Sequence, residues 1–594
     1  MTKADLISFY GKRKQQFSET LSVKKIRINN VSNLRLLAAA LIAITIYLGF
    51  SNNVILYAAI PLLIIFVRLI QAHARLFSEK VHLENLVKIN ASEIEAVQGN
   101  LETFNPGKEF IDPHHPYTYD LDIFGEGSLY QCINRCNTID GKRSLATLLS
   151  NHLPGSEAIL ANQEAVIELT AKTDFRQDLQ ASGMEIDELA NDRKELFEWL
   201  KVPPFIYGNR LNDMLLWVLP ALTVASLIGW LFFDLTKAIF VLLVLIQWIL
   251  VGIYNKRINA FHEFISRKKG ILEKYAHILK TIQPENFESR RGKKLKGEAT
   301  NADVKIGALA SLVSALNARL NFMTAMVVNS VLLYDMQCVY RLEKWKHENA
   351  KNLLSWLDAI CDAEVLTSLS TFAFNNPDFI YPVIHDDLRL ETEGLGHPLL
   401  ASEKCVTNTI SMGQGRSVLI VTGANMAGKS TFLRTMGVNL VLALAGSPVF
   451  ARTYKCPVVP LRSGMRTADS LKDHASYFYA ELHRLQSIMD ELRDGKPLFI
   501  LLDEILKGTN SGDKQRGSIA LVRQLLINPC LALVATHDLA LGDLEKEYPE
   551  QVRNFCFEAN IENDQLSFDY ILKPGLAQTM NATFLMKKMG IIPE

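Results

Sequence analysis

Apolar and polar positions alternate on two different scales along this chain. In the first half the apolar residues gather into long uncharged runs, and they do so twice, each time as a pair. Residues 36–50 and 54–70 are separated by the turn Ser51-Asn52-Asn53, and residues 214–233 and 238–254 by Asp234-Leu235-Thr236-Lys237. A helix needs about 20 apolar residues to cross a bilayer, within a range of roughly 17 to 25. The second pair meets this comfortably and the first, although shorter, is sufficient. Trp217, Trp230 and Trp248 stand near the ends of the second pair, where interfacial aromatic rings are expected. The alternative is a set of buried core helices, but such helices usually carry a polar stripe that these runs lack.

Elsewhere the period is shorter. Over 84–212 apolar residues recur at three-to-four spacing, as in Leu145, Leu148 and Leu149 or Ile159, Val166 and Leu169, and the same texture returns over 255–384. Both stretches predict helices. Beyond 385 short β-rich runs take over, at 417–422, 498–502 and 531–536. Strands alternating with helices predict a mostly parallel sheet covered on both faces. The predicted order is a cytosolic segment 1–33, a transmembrane hairpin 34–72, a first helical part 84–212, a second hairpin 213–254, a second helical part 255–384 and an α/β domain 385–594.

Charge orients this arrangement. Lys24, Lys25, Arg27, Arg35, Arg68, Arg75 and Lys80 flank the first hairpin. Arg210, Lys256, Arg257, Arg267, Lys268 and Lys269 flank the second, whereas the second outer turn holds only Asp234 and Lys237. The positive-inside rule puts the N-terminus, the segment from about 71 to 210 and everything after 255 in the cytosol, so the expected location is the inner (cytoplasmic) membrane, crossed several times. Lys plus Arg and Asp plus Glu number 63 each. This balance removes the simplest argument for nucleic acid without excluding a local patch. One basic run, Arg290, Arg291, Lys293, Lys294 and Lys296, reads as a solvated loop between helices, or as a contact for anionic lipid or phosphate backbones. The eight cysteines have no zinc-finger spacing and suit a reducing compartment. Cys132 and Cys136 read as neighbours on one face of a helix.

The chemistry lies in the last third. Gly423-Ala424-Asn425-Met426-Ala427-Gly428-Lys429-Ser430 fits the pattern G-x-x-x-x-G-K-[ST] between a strand and a helix expected to begin near Thr431. Such a loop turns its N–H groups toward phosphate oxygens, and the helix N-terminus adds its dipole. Lys429 offers a point charge for the β- and γ-phosphates, and the Ser430 hydroxyl a ligand for Mg²⁺. A second buried strand ends in Asp503-Glu504. There Asp503 is placed to hold Mg²⁺ through water and Glu504 to orient or deprotonate an attacking water, the plainer alternative being a helix cap. A third strand ends at His537, placed either to sense the γ-phosphate or simply to support the structure.

These residues resemble the MutS family of ATPases, within the wider ABC class. GANMAGKSTFLRTMG is similar to that family's extended P-loop, DEILKGTNSGD to its Walker B segment with Gly508, Thr509, Asn510 and Asp513, and ATHDLAL to its switch-histidine segment. Asp469-Ser470-Leu471 through Ser476-Tyr477-Phe478-Tyr479-Ala480-Glu481 resembles its signature loop, and Gly396-His397-Pro398 the start of its ATPase domain. Leu121 to Gly125, Asn134-Arg135 and Gly141-Lys142-Arg143 look like the opening of its helical lever. The resemblance implies an α/β P-loop NTPase domain, an all-α core or lever, ATP with Mg²⁺ as cofactors, and a homodimer in which Ser476 reaches the partner's ATP. It implies movement of the lever on nucleotide binding and leaves DNA as a possible partner. A mismatch-reading domain and a carboxyl-terminal nuclease are missing from the pattern. Cys405 or Val406 stands where the family often stacks an aromatic ring on adenine. A membrane machine of transporter type is the remaining alternative, and the nearly charge-free spans give it little support.

Overall fold

The structure is a computed structural model that describes residues 1–51, 55, 57–185, 188, 192–413, 416–466, 477–507, 509–562, 565–578 and 592. Thr2 opens helix α1 (Lys3–Gly49) with a capping box: its hydroxyl accepts from the Asp5 N–H at 3.2 Å, and the Asp5 carboxylate accepts from the Thr2 N–H at 2.8 Å. α1 runs alongside α2 (Ala59–Val97), and their polar legs are bridged by Lys24 and Glu79. The second pair is shorter. Asn209 caps α4 (Arg210–Phe232), accepting from the Leu211 N–H at 3.1 Å, and Asp234, with φ of 53°, turns the chain toward α5 (Lys237–Ile265). Among the described residues these four helices are each long and apolar enough to cross a membrane.

The remaining helices form one packed body. It includes α3 (Thr173–Gly183), which precedes α4 in the chain, then α6 (Lys269–Ile282), α7 (Arg290–Ala299), α8 (Ala302–Asn317) and α9 (Phe322–Leu332). Its spine is α10 (Tyr334–Asn375), whose 42 residues make a rod about 63 Å long. Two expectations need correction. The basic run at 290–296 is a helix rather than a loop, because the Ser289 hydroxyl accepts from the Gly292 N–H at 3.2 Å and Leu295 and Ala299 bury one face. Its cations are largely engaged: Arg290 with Glu157, Arg291 with Asp362, and Lys296 with the Glu285 carbonyl. Cys136 lies beyond the end of the short helix Leu129–Ile133, so it shares no helix face with Cys132.

Beyond residue 385 the chain forms two sheets. The larger has the order β10-β9-β4-β8-β7-β6, from β4 (Arg416–Gly423), β6 (Leu461–Gly464), β7 (Leu498–Asp503), β8 (Cys530–Thr536), β9 (Val552–Glu562) and β10 (Gln565–Pro574). Every neighbouring pair is parallel except β9 with β10. Both faces are buried, so the central strands are apolar throughout. Leu419 and Val421 share a core with Phe432 and Leu433 of α11 (Lys429–Leu444). Val418 and Ile420, one register position away, share another with Leu485 and Ile488 of α12 (Tyr477–Arg493) and Val522 of α13 (Ser511–Ile527). The smaller sheet has the order β1-β5-β2-β3, from β1 (Val383–His385), β2 (Leu390–Leu395), β3 (Asn408–Met412) and β5 (Thr453–Pro457). Buried Asp120, at the start of the helical body, accepts from the Ser463 hydroxyl and the Met465 and Arg466 N–H groups, and pairs with Arg484 at 3.0 Å. The Phe379 ring stacks on Phe450 at 4.9 Å. Together these contacts seat the sheets on the helices.

Candidate nucleotide site

The glycine-rich loop lies between the end of β4 and the start of α11, which begins at Lys429, two residues before the expected Thr431. Two of its glycines are required by geometry. Gly428 has φ of 108°, and a Cβ on Gly423 would sit 2.8 Å from the Phe557 carbonyl oxygen. Met426 takes a left-handed φ of 68° with its side chain exposed. Ala424, Asn425, Met426, Ala427, Gly428, Lys429, Ser430 and Thr431 all line one cavity of 520 Å³. Gly423 lies just behind it.

Lys429 is buried at the root of the loop. Its Nζ donates to the carbonyls of Gly423 and Ala424 at 2.8 and 3.0 Å and lies 3.3 Å from His537 Nε2. Burial pushes its ammonium below the usual lysine value, against the pull of Glu504 and Asp503. The Ser430 hydroxyl donates to Asp503 Oδ2, while Asp503 Oδ1 is buried without a partner. A hydroxyl and a carboxylate with a free oxygen form a hard-oxygen donor set that fits Mg²⁺.

Glu504 has φ of 50°. Its N–H donates to the Ala535 carbonyl at 2.9 Å, so the edge of β8 fixes its backbone. Its carboxylate meets His537 Nε2 at 2.8 Å and Lys507 Nζ at 3.2 Å. The hydrogen bond from His537, helped by Lys507 and opposed by burial, lowers its pKa to about 2. A carboxylate held that low stays ionised at physiological pH. It is well suited to orienting water and is a weak proton acceptor.

The structure therefore brings Lys429, Ser430, Asp503, Glu504 and His537 together from three adjacent strand ends. Ser476 and Gly508 lie outside the described residues. Nearby, Glu481 Oε1 accepts from the Leu506 N–H at 2.5 Å, linking α12 to the segment after β7.

Several cavity residues had no assigned part in the sequence reading. Tyr570 covers Gly428: a Cβ there would lie 3.1 Å from its ring. Asn408 holds that turn, donating to the Tyr570 carbonyl at 3.2 Å and accepting from the Leu572 N–H at 2.7 Å. Tyr570 is a half-exposed ring, whereas Phe432 and Phe557 are buried in the cavity wall. His397 also lines the cavity, and burial beside Arg434 lowers its pKa to about 4, leaving a neutral imidazole. Cys405 and Val406 are in the wall as well. An aromatic residue some 140 positions beyond the loop carries no sequence signal for this role; only the β9–β10 pairing brings it back.

The family model described as MutS domain V matches residues 419–594. Curated relatives include a DNA mismatch repair protein MutS from Thermotoga maritima, 32% identical over 235 residues, covering 39% of this chain and 29% of that protein. Another, from Natronomonas pharaonis, is 30% identical over 240 residues, covering 40% of this chain and 27% of its own length. The chain thus spans less than a third of the length of these relatives. The glycine-rich loop and both following strand ends lie inside the matched region, so the C-terminal part of the chain is similar to MutS domain V.

Proposed function

We propose that this chain is a membrane-anchored MutS-like ATPase, which hydrolyses MgATP at the cavity beside β4 and passes the resulting movement along α10. The observation that carries this reading is the convergence of Lys429, Ser430, Asp503, Glu504 and His537 at one cavity beside a glycine-rich loop. The loop N–H groups and Lys429 would hold the phosphates, and Ser430 and Asp503 the metal. Bound magnesium supplies neutralisation of phosphate charge. Glu504 orients the attacking water and His537 fixes Glu504. Tyr570 offers an exposed ring for the base. Homodimerisation through the signature segment and the two transmembrane hairpins belong to the same proposal, with the ATPase domain on the cytosolic side of the inner membrane.

The test is turnover of detergent-purified protein. Glu504→Gln removes a charge without removing volume and should lower the hydrolysis rate about 10²- to 10⁴-fold, with nucleotide binding retained. Lys429→Ala should lose binding itself. Unchanged turnover in Glu504→Gln would sink the assignment.

A second reading, binding to duplex or branched DNA, is favoured by the relatives' printed names. It predicts a complex that weakens steeply with salt. Gel-shift titration at two salt concentrations decides it, with salt-independent binding or none counting against it.

A further inference from the structure

The four long apolar helices are not the whole of the apolar surface on that side of the molecule. Between α8 and α10 the chain bends sharply: the axes of Arg290–Leu320 and Ala325–Leu332 differ by 113°. The second limb, in α9, shows solvent an apolar face of Met326, Val327 and Leu332, with Leu320 just before it 74% exposed.

This limb is fastened to the second hairpin. Gln247 of α5 is fully buried and donates to the Thr223 hydroxyl of α4 at 2.6 Å and to the Val331 carbonyl of α9 at 3.4 Å. Trp248 Nε1 donates to the Ser330 hydroxyl at 2.8 Å. Counting 1.5 Å per residue from the hairpin's turn, Thr223 and Gln247 both lie about 15 Å along it, halfway through a hydrocarbon layer of about 30 Å. On the way in, Arg319 donates to Asn255 at 3.2 Å, about 27 Å from the turn. On the way out, Gln337 donates to the Leu216 carbonyl at 3.3 Å, about 26 Å from it.

Arg319, Asn329 and Asp335 of this segment face inward. Arg319 and Asp335 form an ion pair at 3.2 Å, their side chains 11% and 3% exposed. The break between α9 and α10 falls at left-handed Leu333, which is fully buried, and the Asp335 N–H donates to Asn329 Oδ1 at 2.9 Å. Irregular backbone at membrane depth is tolerated when protein seals it in this way.

We propose that residues 319–337 form a re-entrant loop, dipping into the cytosolic leaflet with the outer face of α9 against acyl chains. This rests on the anchored reading of the second hairpin. Continuity with the hairpin's exposed apolar surface, at matching depth, commits the face to lipid. The membrane end of the rod α10 is then set in the bilayer.

The test labels single introduced cysteines with an environment-sensitive fluorophore in full-length protein reconstituted into phosphatidylcholine–phosphatidylglycerol vesicles, read as the increment over unsubstituted protein. Val327→Cys reports the loop, Ile249→Cys the hairpin and Ile527→Cys the ATPase surface; all three side chains are exposed. Spin-labelled lipid should quench Val327→Cys at least twofold more than Ile527→Cys, and aqueous iodide should spare it as it spares Ile249→Cys. If Val327→Cys answers to iodide while Ile249→Cys answers to lipid, the loop is wrong and the anchor stands. If neither quencher reaches Val327→Cys, a protein surface covers it and the loop is equally wrong. If Ile249→Cys also answers to iodide, the anchored reading falls and takes the loop with it.

Discussion

The two apolar hairpins have the same topology and opposite construction. The first has long legs. α1 and α2 run far beyond their apolar stretches and dock on the distal end of α10, where the Tyr10 hydroxyl donates to Asn375 at 2.8 Å and buried Glu93 pairs with Arg135. Its apolar windows are almost bare, 6% and 0% buried within the protein. The second has short legs and grips the proximal end of α10 directly; the apolar window of α4 is 28% buried, while that of α5 is as bare as α1's at 6%. On the anchored reading, the first hairpin is a tether braced near the end of the rod that leads into the two sheets. The second holds the end that meets the membrane. Two hairpins that both pass as apolar spans are thus unequally coupled to the protein.

The largest effect that separates the two is expected at Glu343. This residue of α10 is buried, and its carboxylate accepts from the N–H groups of Phe205, Ile206 and Tyr207 at 2.9, 3.0 and 2.8 Å, just before the second hairpin begins. Glu343→Ala strands three donors and should cost about 4 kcal/mol, read as a lowered denaturation midpoint in detergent. Among the described residues nothing comparable ties the bare spans of the first hairpin, so a substitution there such as Ile64→Ala, at an exposed site, should leave that midpoint in place. Equal losses at the two positions would erase the distinction.

Glu343 also shows where sequence reading stops. A single glutamate in a long helix reads as a surface charge, and only the fold brings three backbone donors to it. The uncharged runs were legible by their length alone, and the β-rich strands because burial under two helical layers leaves an unbroken apolar run. The glycine-rich loop and the Asp503-Glu504 pair were legible because each sits at a strand end fixed by local sequence. α9 was not: it is 11 residues long, too short to span, and it contains Asn329 and Ser330. Those two polar residues are spent on internal bonds to Asp335 and Trp248, so its outer face is more apolar than its composition suggests. The basic run of α7 failed the opposite way, since charge density masked a helix whose apolar positions are only Leu295 and Ala299.

An intermediate effect is expected at Gln247. Replacing it by Leu keeps the volume and removes both donors. Hydrogen bonds between membrane helices contribute about 0.6 kcal/mol on average, so the global midpoint should move little. The contact between α9 and the hairpin should loosen, read as faster thiol labelling at Ser330→Cys in the Gln247→Leu background than in the Gln247 background. Identical labelling rates would mean that packing alone holds α9 there.

The smallest effect belongs to the first hairpin's leg and depends on pH. His82 of α2 lies 3.1 Å from Asp178 of α3 and 3.6 Å from Glu185, and His277 of α6 lies 2.5 Å from the other Glu185 oxygen. Burial opposes the charge on His82, but the hydrogen bonds to Asp178 and Glu185 outweigh it and raise its pKa to about 9. The hydrogen bond to Glu185 raises His277 as well, with Lys280 opposing and Glu273 assisting. Burial likewise opposes the charge on Glu185, yet both histidines together hold its pKa at about 2. The raised histidines stabilise the fold fully below pH 6.5 and lose that contribution as pH climbs, His82 as it passes through about 9. The depressed carboxylate contributes above pH 4.5 and loses its contribution as pH falls toward about 2. The tie is therefore strongest between pH 4.5 and 6.5. Partial exposure limits it to no more than about 1 kcal/mol. The denaturation midpoints of the parent and His82→Gln proteins should differ most near pH 6 and converge by pH 10. A difference that persists at pH 10 would assign the role of His82 to packing, leaving the pairs of Glu93 with Arg135 and Arg13 with Asp174 as the charged ties between the first hairpin's legs and the helical body.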